Sequence, residues 1–453
     1  MIVDWLPTPS QHFLVSAVAL LVYILTSRAR DQRRAPTSAI AWVLGLALMP
    51  YVTLPLYLLF GQRKLEPVAI PYAGVTVEGP HWAAELIESF GLAPPSRCKV
   101  RMHADGAQAR EALFKIIEDA RQTLDVSTFI LGNDSFGKEV VARLARRARE
   151  GVQVRLLLDG FFAVLVPRRL LRELTDAGAK VAVFRPFFTL HRLGPRNLRN
   201  HRKLVVADDR YLWCGGRNLA AEYFLGDGEN IIWPDLSFDL EGPVAVAAGR
   251  QFDLDWNTTR LRMPVRERLA TEFEGGELAQ FLPSGPDQVE DTAQSLLIDG
   301  CYRARRRLLI VTPYFIPDDS LRAAMRLAAR RGVKVTVAIP ARSNHRLADF
   351  VRSRPMRDLA AAGVEFRLVS QMVHAKAVVI DETLAMCGSI NLDMRSLLLN
   401  HEAAVVFYGR DTIDWLARWI STVAEQGSAY HAKPPGLLRD IAEGVLLTVA
   451  FQL

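Results

Sequence analysis

The chain has 453 residues, with 56 Lys and Arg against 49 Asp and Glu, a formal charge of +7 and a pI near 9.3. That length accommodates one large duplicated core or two domains of roughly 150 to 200 residues. Hydrophobic residues at 50 % and a mean hydropathy of +0.10 suit a globular protein that carries some membrane-embedded sequence. Cys98, Cys214, Cys301 and Cys387 give no disulfide framework, and no Cys or His cluster has metal-ligand spacing, so neither a metal nor another cofactor is expected. The positive balance leaves two kinds of polyanion as partners, anionic lipid and nucleic acid.

Residues 1–65 read as a membrane hairpin. Ser38 to Gly61 is a 24-residue stretch without a charge, long enough to cross a hydrocarbon core of roughly 30 Å, with Trp42, Tyr51 and Tyr57 as interface anchors. Phe13 to Thr26, extended back through Leu6 and Trp5, reads as a first span or a re-entrant segment, so the two spans are expected at 6–26 and 38–60. A cleaved signal peptide is disfavoured, because no basic region precedes the apolar run and Arg28 to Arg34 follow it. Arg28, Arg30, Arg33 and Arg34 against the single Asp31 put the connector in the cytoplasm and both ends of the chain outside. Arg63 and Lys64 flank the second stretch as well, and a shallow hairpin would leave the following domain on the cytoplasmic face.

Two later stretches repeat one another, 66–275 and 276–453. Leu144 to Gly151 followed by Val-Gln-Val-Arg-Leu-Leu matches Met325 to Gly332 followed by Val-Lys-Val-Thr-Val-Ala, each a helix, a glycine stop and an apolar strand. A second helix-to-strand unit follows, with its turn at Gly178 and at Gly363. Then come His201-Arg-Lys-Leu-Val-Val-Ala-Asp208 and His374-Ala-Lys-Ala-Val-Val-Ile-Asp381, each followed after six residues by Gly215-Gly-Arg-Asn218 or Gly388-Ser-Ile-Asn391. One HxKxxxxD arises by composition at on the order of one in ten thousand positions, so two extended copies at identical spacing mark a duplication. The first copy carries an extra stretch, Phe187 to Asn197, expected as a loop near its motif. Trp233-Pro-Asp235 mirrors Asn400-His-Glu402, and the closing stretch from Leu437 to Leu453 is an amphipathic helix expected to pack on the domain.

The apolar runs after each motif place it on a buried strand, where residues two apart share a face, so His201 points with Lys203 and His374 with Lys376. Two ordinary core histidines are the competing reading, but each lysine would then be a buried charge with nothing to offset it. Two lysines and the amides of Asn218 and Asn391 can hold the non-bridging oxygens of a phosphodiester. One imidazole can attack phosphorus while the other serves as acid and then base. Asp235 and Glu402 are the candidates to fix the imidazole tautomers. Asp208 and Asp381 complete the catalytic motif at the strand ends and are read as its structural members, not as proton carriers.

These residues resemble the phospholipase D superfamily, and within it the bacterial cardiolipin synthases. The resemblance extends through Arg34-Ala-Pro-Thr-Ser-Ala-Ile-Ala-Trp42, Leu56-Tyr-Leu-Leu-Phe-Gly61, Ser284-Gly-Pro-Asp287, Thr312-Pro-Tyr-Phe-Ile-Pro317 and Asn391-Leu-Asp-Met-Arg-Ser396. It implies an α/β pseudo-dimer of two phospholipase D-like halves, each a mixed sheet flanked by helices, behind the membrane hairpin. It also implies a multi-pass protein of the bacterial cytoplasmic membrane that acts on phosphatidylglycerol and not on nucleic acid. The implied reaction joins two phosphatidylglycerols into cardiolipin through a phosphohistidine, with His201 as nucleophile and His374 as acid and base. A hydrolase, or a transferase using another lipid, would need the same residues. Two departures bear on the site: His401 stands where an aromatic residue is commoner and could line the pocket, and Asp159-Gly-Phe-Phe-Ala replaces a polar turn.

Overall fold

The computed structural model of the chain describes residues 7–29, 36–65, 81–186, 196–225, 232–259, a few positions between 261 and 268, and 273–449. Trp5, Leu6, Arg30, Arg33, Arg34, residues 187–195 with His191, and residues 450–453 lie outside them.

Among the described residues, fifteen strands form one mixed sheet. From one edge inward run Lys180–Phe184, Gln153–Asp159, Thr123–Thr128, Leu204–Ala207, Tyr211–Gly215, Ser237–Glu241 and Ser96–His103. From the other edge, inside the short Ser428–Ala429, run Glu365–Val369, Lys334–Pro340, Arg307–Val311, Ala377–Ile380, Leu384–Gly388, Glu402–Phe407 and Glu277–Ser284. The outer three strands of each series pair in parallel and every later pair is antiparallel, so the two series have one topology. They join where Ser96–His103 lies antiparallel to Glu277–Ser284, with Ser96 opposite Ala279 and Cys98 opposite Glu277.

Helices cover the parallel strands, as crossovers between parallel strands require. Ser135–Arg149 starts where the Asp134 carboxylate accepts the Gly137 N–H at 2.8 Å, and Asp319–Arg330 starts at Asp318 in the same way. Both bury an apolar stripe, Val140, Val141 and Leu144 in one and Leu321, Ala324 and Met325 in the other. Both end at a glycine in the left-handed region, Gly151 at φ 93° and Gly332 at φ 88°, which a side chain would strain. A central core spans the two halves, where the Phe238 and Phe407 rings meet edge-on at 5.2 Å. All four cysteines are free and buried.

The N-terminal segment departs from two continuous spans. Pro9–Ala29 is one helix, and Pro9–Arg28 is long and apolar enough to cross a bilayer. The second apolar stretch breaks at Met49 and Pro50 into Pro36–Leu48 and Pro50–Phe60. Proline is at home in the first turn of a new helix but cannot continue an old one. The chain doubles back there: Trp42 packs on Tyr57 at 5.3 Å, and a side chain at Gly45 would lie 2.9 Å from Thr53. Helix Pro9–Ala29 receives both arms, through Ser16 Oγ donating to the Ala47 carbonyl and the Thr26 and Tyr57 hydroxyls bonding at 2.7 Å. Phe60 therefore returns to the Thr26 end of the first helix.

From there the chain is tied to the catalytic sheet. Arg196 N–H donates to Leu59 O at 3.1 Å, Asn197 Nδ2 to Phe60 O at 3.2 Å, and Leu65 N–H to Pro286 O at 2.8 Å. Lys64 donates to the carbonyls of Gly285, Gln288 and Glu290. At the other end, helix Leu437–Val449 docks through Glu443, which pairs with Arg357 at 2.6 Å, while Leu446 and Leu447 pack beside Ile316.

Candidate active site

Each motif runs differently from the expected strand. The strands begin only at Leu204 and Ala377, and the His-x-Lys lead-ins leave their own ladder to meet the opposite half. His201 N–H donates to His401 O at 2.8 Å, and His374 N–H donates to Pro234 O at 2.7 Å. Each of those carbonyls belongs to the residue just before a carboxylate. His201 Nδ1 consequently lies 2.9 Å from Glu402, and His374 Nδ1 lies 2.7 Å from Asp235, so the halves exchange carboxylates. All four side chains are buried. Burial pushes Glu402 and Asp235 up, but the imidazoles they bond and the nearby lysines outweigh it and hold both carboxyls below the usual range. Burial and the lysine charges bring His201 down to about 4 and His374 to about 3, so both imidazoles are neutral at pH 7.

The tetrapeptides close the back of the site unequally. Ser389 Oγ donates to Glu402, which also accepts from Asn400 Nδ2 at 3.3 Å. The matching position is Gly216, where a side chain would come within 2.2 Å of Asp235; there the Leu236 N–H donates to the carboxylate instead, at 2.7 Å. The Gly-or-Ser choice thus follows the length of the carboxylate it faces.

Lys203 and Lys376 are buried, and among the described residues neither has a carboxylate within 4.0 Å. Lys203 Nζ donates to His201 O at 2.9 Å; Lys376 Nζ donates to His374 O and sits 3.0 Å from His374 Nε2. Burial depresses them to about 7 and about 8, and each lysine's charge lowers the other half's histidine further. Asn391 Nδ2 donates to Ser396 Oγ at 3.0 Å, and the buried side-chain oxygens of Asn218 and Asn391 have no hydrogen-bond partner among the described residues. The two lysines need an anion.

Asp208 and Asp381 sit at the far ends of the motif strands, away from the imidazoles. Asp208 accepts the N–H groups of Arg121, Gln122 and Thr123 at 2.7 to 2.8 Å, and Asp381 those of Arg305, Arg306 and Arg307 at 2.8 to 2.9 Å. Both are in the left-handed region, at φ 53° and 50°, which Asp tolerates better than most residues.

His401 does not line the pocket. Its side chain alternates away from that of Glu402, packs on Phe184 at 4.9 Å, and reaches Asp287 at 3.2 Å. Asp255, Asp287 and His401 form a three-ligand cluster that spacing in the sequence did not reveal. The buried Arg202 guanidinium already bonds both of its carboxylates, and a metal ion there would face that positive charge. Three aromatic side chains at the site also escaped sequence reasoning: Phe129 meets the His201 ring at 4.8 Å, and Tyr223 and Trp233 meet the His374 ring at 5.0 and 5.7 Å. Trp233 stands two residues before Asp235 in the repeated phrase, which was its available signal.

A seven-stranded α/β unit repeated about a pseudo-twofold axis, with a His-Lys pair from each copy, defines the phospholipase D class of fold. Residues 113–255 and 297–423 match the family described as cardiolipin synthase, PLD-like domain, and residues 15–62 match the phospholipase D-nuclease N-terminal family. Cardiolipin synthase A of Pseudomonas putida (strain W619) is 32 % identical over 91 % of this chain and 92 % of its own length. Cardiolipin synthase A of Pseudomonas aeruginosa (strain LESB58) is 31 % identical over 87 % and 85 %. The crystal structure of phosphatidylserine synthase from Haemophilus influenzae Rd KW20 superimposes with a TM-score of 0.62 at 14 % identity, covering 82 % of this chain and 100 % of that one, a likeness of fold. The chain belongs to the cardiolipin synthase, PLD-like domain family.

Proposed function

We propose that this protein is a cardiolipin synthase, a phosphatidyltransferase that converts two phosphatidylglycerols into cardiolipin and glycerol. The observation that carries the reading is the pair of buried lysines, without carboxylate partners among the described residues, each beside an imidazole held at Nδ1 by a carboxylate from the other half. Lys203 and Lys376, with Asn218 and Asn391, hold the phosphate oxygens. The bound phosphodiester brings a negative charge beside His374, which takes up a proton from solvent at Nε2 as the substrate binds. His201 Nε2 attacks phosphorus, the bond from phosphorus to the glycerol oxygen breaks, and the His374 imidazolium gives that oxygen its proton. His374, now neutral, takes the proton of a primary hydroxyl on the second phosphatidylglycerol. That oxygen bonds to phosphorus as the P–N bond breaks, and cardiolipin leaves with His201 regenerated. Glu402 and Asp235 stabilise whichever imidazole carries the positive charge.

The protein is membrane-associated, and we read Pro9–Arg28 as a span of the bacterial cytoplasmic membrane, with the folded-back pair Pro36–Leu48 and Pro50–Phe60 as a re-entrant second element. We take the catalytic sheet to lie on the side of Arg28, which Arg30, Arg33 and Arg34 follow in the sequence; the return of Phe60 to the Thr26 end of the first helix supports that reading. The positive-inside rule makes that side cytoplasmic.

The test is to incubate the purified protein with phosphatidylglycerol vesicles and follow lipid and free glycerol by mass spectrometry. Cardiolipin with equimolar glycerol is expected. Phosphatidic acid with glycerol would mean that water is the acceptor, and no product would overturn phosphatidylglycerol as donor.

A further inference from the structure

One exposed apolar turn takes no part in the chemistry above. After strand Gln153–Asp159 the chain makes a short turn in which Phe161, Val164 and Leu165 are 50, 58 and 67 % exposed. The next helix, Arg168–Asp176, opens with Arg168 and Arg169 exposed and Arg172 beside them. Bulky apolar side chains at a tip with arginines behind it are the chemistry of a segment seated at the headgroup boundary of an anionic bilayer. Single exposed apolar residues are ordinary, so position must decide.

Two connections fix the position. The Asp159 carboxylate accepts the Phe161 N–H and the Asn200 N–H, each at 2.8 Å, which latches the turn to the residue before His201. That same segment receives the membrane hairpin, through Arg196 to Leu59 and Asn197 to Phe60. An aromatic series then leads inward: Phe161 meets Phe162 at 5.1 Å, Phe162 meets Phe129 at 4.8 Å, and Phe129 meets His201 at 4.8 Å. The duplicated half supplies an internal comparison. After the equivalent strand Lys334–Pro340 come Ala341-Arg-Ser-Asn-His-Arg346, mostly polar and exposed, with Asn344 accepting from the Tyr314 hydroxyl at 2.6 Å and a single exposed apolar side chain, Leu347, behind them. The duplication does not require the apolar tip, which lies beside the segment that Leu59 and Phe60 bond, whereas Lys64 and Leu65 bond the second half at Gly285 to Glu290, away from its polar turn in sequence.

We propose that the turn Phe161–Leu165, with Arg168, Arg169 and Arg172, is a lip that dips into the anionic leaflet and delivers a lipid headgroup to His201, while the opposite lip stays in water. The lip rests on the reading of the protein as a lipid enzyme, and the experiment separates the two. Full-length protein carrying Leu165→Cys or Arg342→Cys is labelled with a polarity-sensitive NBD probe, the native cysteines being buried, and reconstituted in phosphatidylglycerol vesicles. The label at 165 should shift to the blue and be quenched by nitroxides on the acyl chains, and the label at 342 should be quenched by aqueous iodide. Equal iodide quenching at both positions would overturn the lip. In a second arm, Phe161→Ser with Leu165→Ser should lower transfer in vesicles by about tenfold relative to transfer on dispersed short-chain phosphatidylglycerol. An equal loss on both substrates would make the turn a wall of the catalytic pocket and overturn the proposal. Lipid quenching at 165 in a protein that forms no lipid product would leave the lip standing and the proposed reaction refuted.

Discussion

Replacing Glu402 by Gln tests the exchange of carboxylates most directly. When His201 bonds phosphorus through Nε2 and keeps its Nδ1 proton, the ring is a cation, and Glu402 lies 2.9 and 3.0 Å from that nitrogen with no solvent exposure. A hydrogen bond to a charged group contributes about 1.5–3 kcal/mol, and opposite charges at this separation attract by about 6 kcal/mol at an effective dielectric of 20. Removing one member of a buried pair costs about 3–5 kcal/mol. Glutamine keeps the shape and can still accept from Ser389, so the loss falls on the charged intermediate more than on the fold. Turnover should drop by roughly two to three and a half orders of magnitude, with a melting temperature close to that of wild type. Cardiolipin formation in vesicles measures the first and calorimetry the second. Activity within about threefold of wild type would refute the role of Glu402 and the crossed geometry behind it.

The same reasoning predicts a comparable loss for Asp235→Asn, acting through His374, and absence of product for His201→Ala and His374→Ala in folded protein, as circular dichroism and product analysis would report. Burial depresses Lys203 to about 7 and Lys376 to about 8, so both are charged below pH 7 and lose their protons as pH rises past 8. Sulfate, whose charge is constant over this range, should therefore bind most tightly below pH 7 and weaken by up to about tenfold per pH unit and lysine above those values. Calorimetric titration from pH 6 to 9.5 checks it, and a flat profile would contradict the assignment. Asp381→Ala should lower stability by about 2 kcal/mol, since three partly buried N–H groups lose their acceptor and the residue keeps its left-handed backbone. Asp381→Asn should cost less, and denaturant unfolding separates the two.

The duplication was readable because its signals are local: helix, glycine stop and apolar strand at equal spacing, and the motif itself. The same locality misled at Leu204 and Ala377, where the apolar run sets the strand but the pull of the opposite half removes His201 and Lys203 from it. The pairing of each histidine with the other half's carboxylate is a relation across more than a hundred residues, and spacing carries no trace of it. Hydropathy read Ser38 to Gly61 as a span because it counts apolar length; the break depends on Pro50 and on Gly45 leaving room for Thr53. Phe129 and Tyr223 look like ordinary core aromatics in sequence, and only their orientation brings them to the imidazoles.

The crossed carboxylates also constrain how such a gene can change. A single half would carry a nucleophile without its counter-charge and a counter-charge without its nucleophile, so after duplication neither copy is free to decay or to be recruited elsewhere. Divergence is left to what lies around the shared centre, and there the two copies do differ: an apolar lip on one, a polar lip on the other.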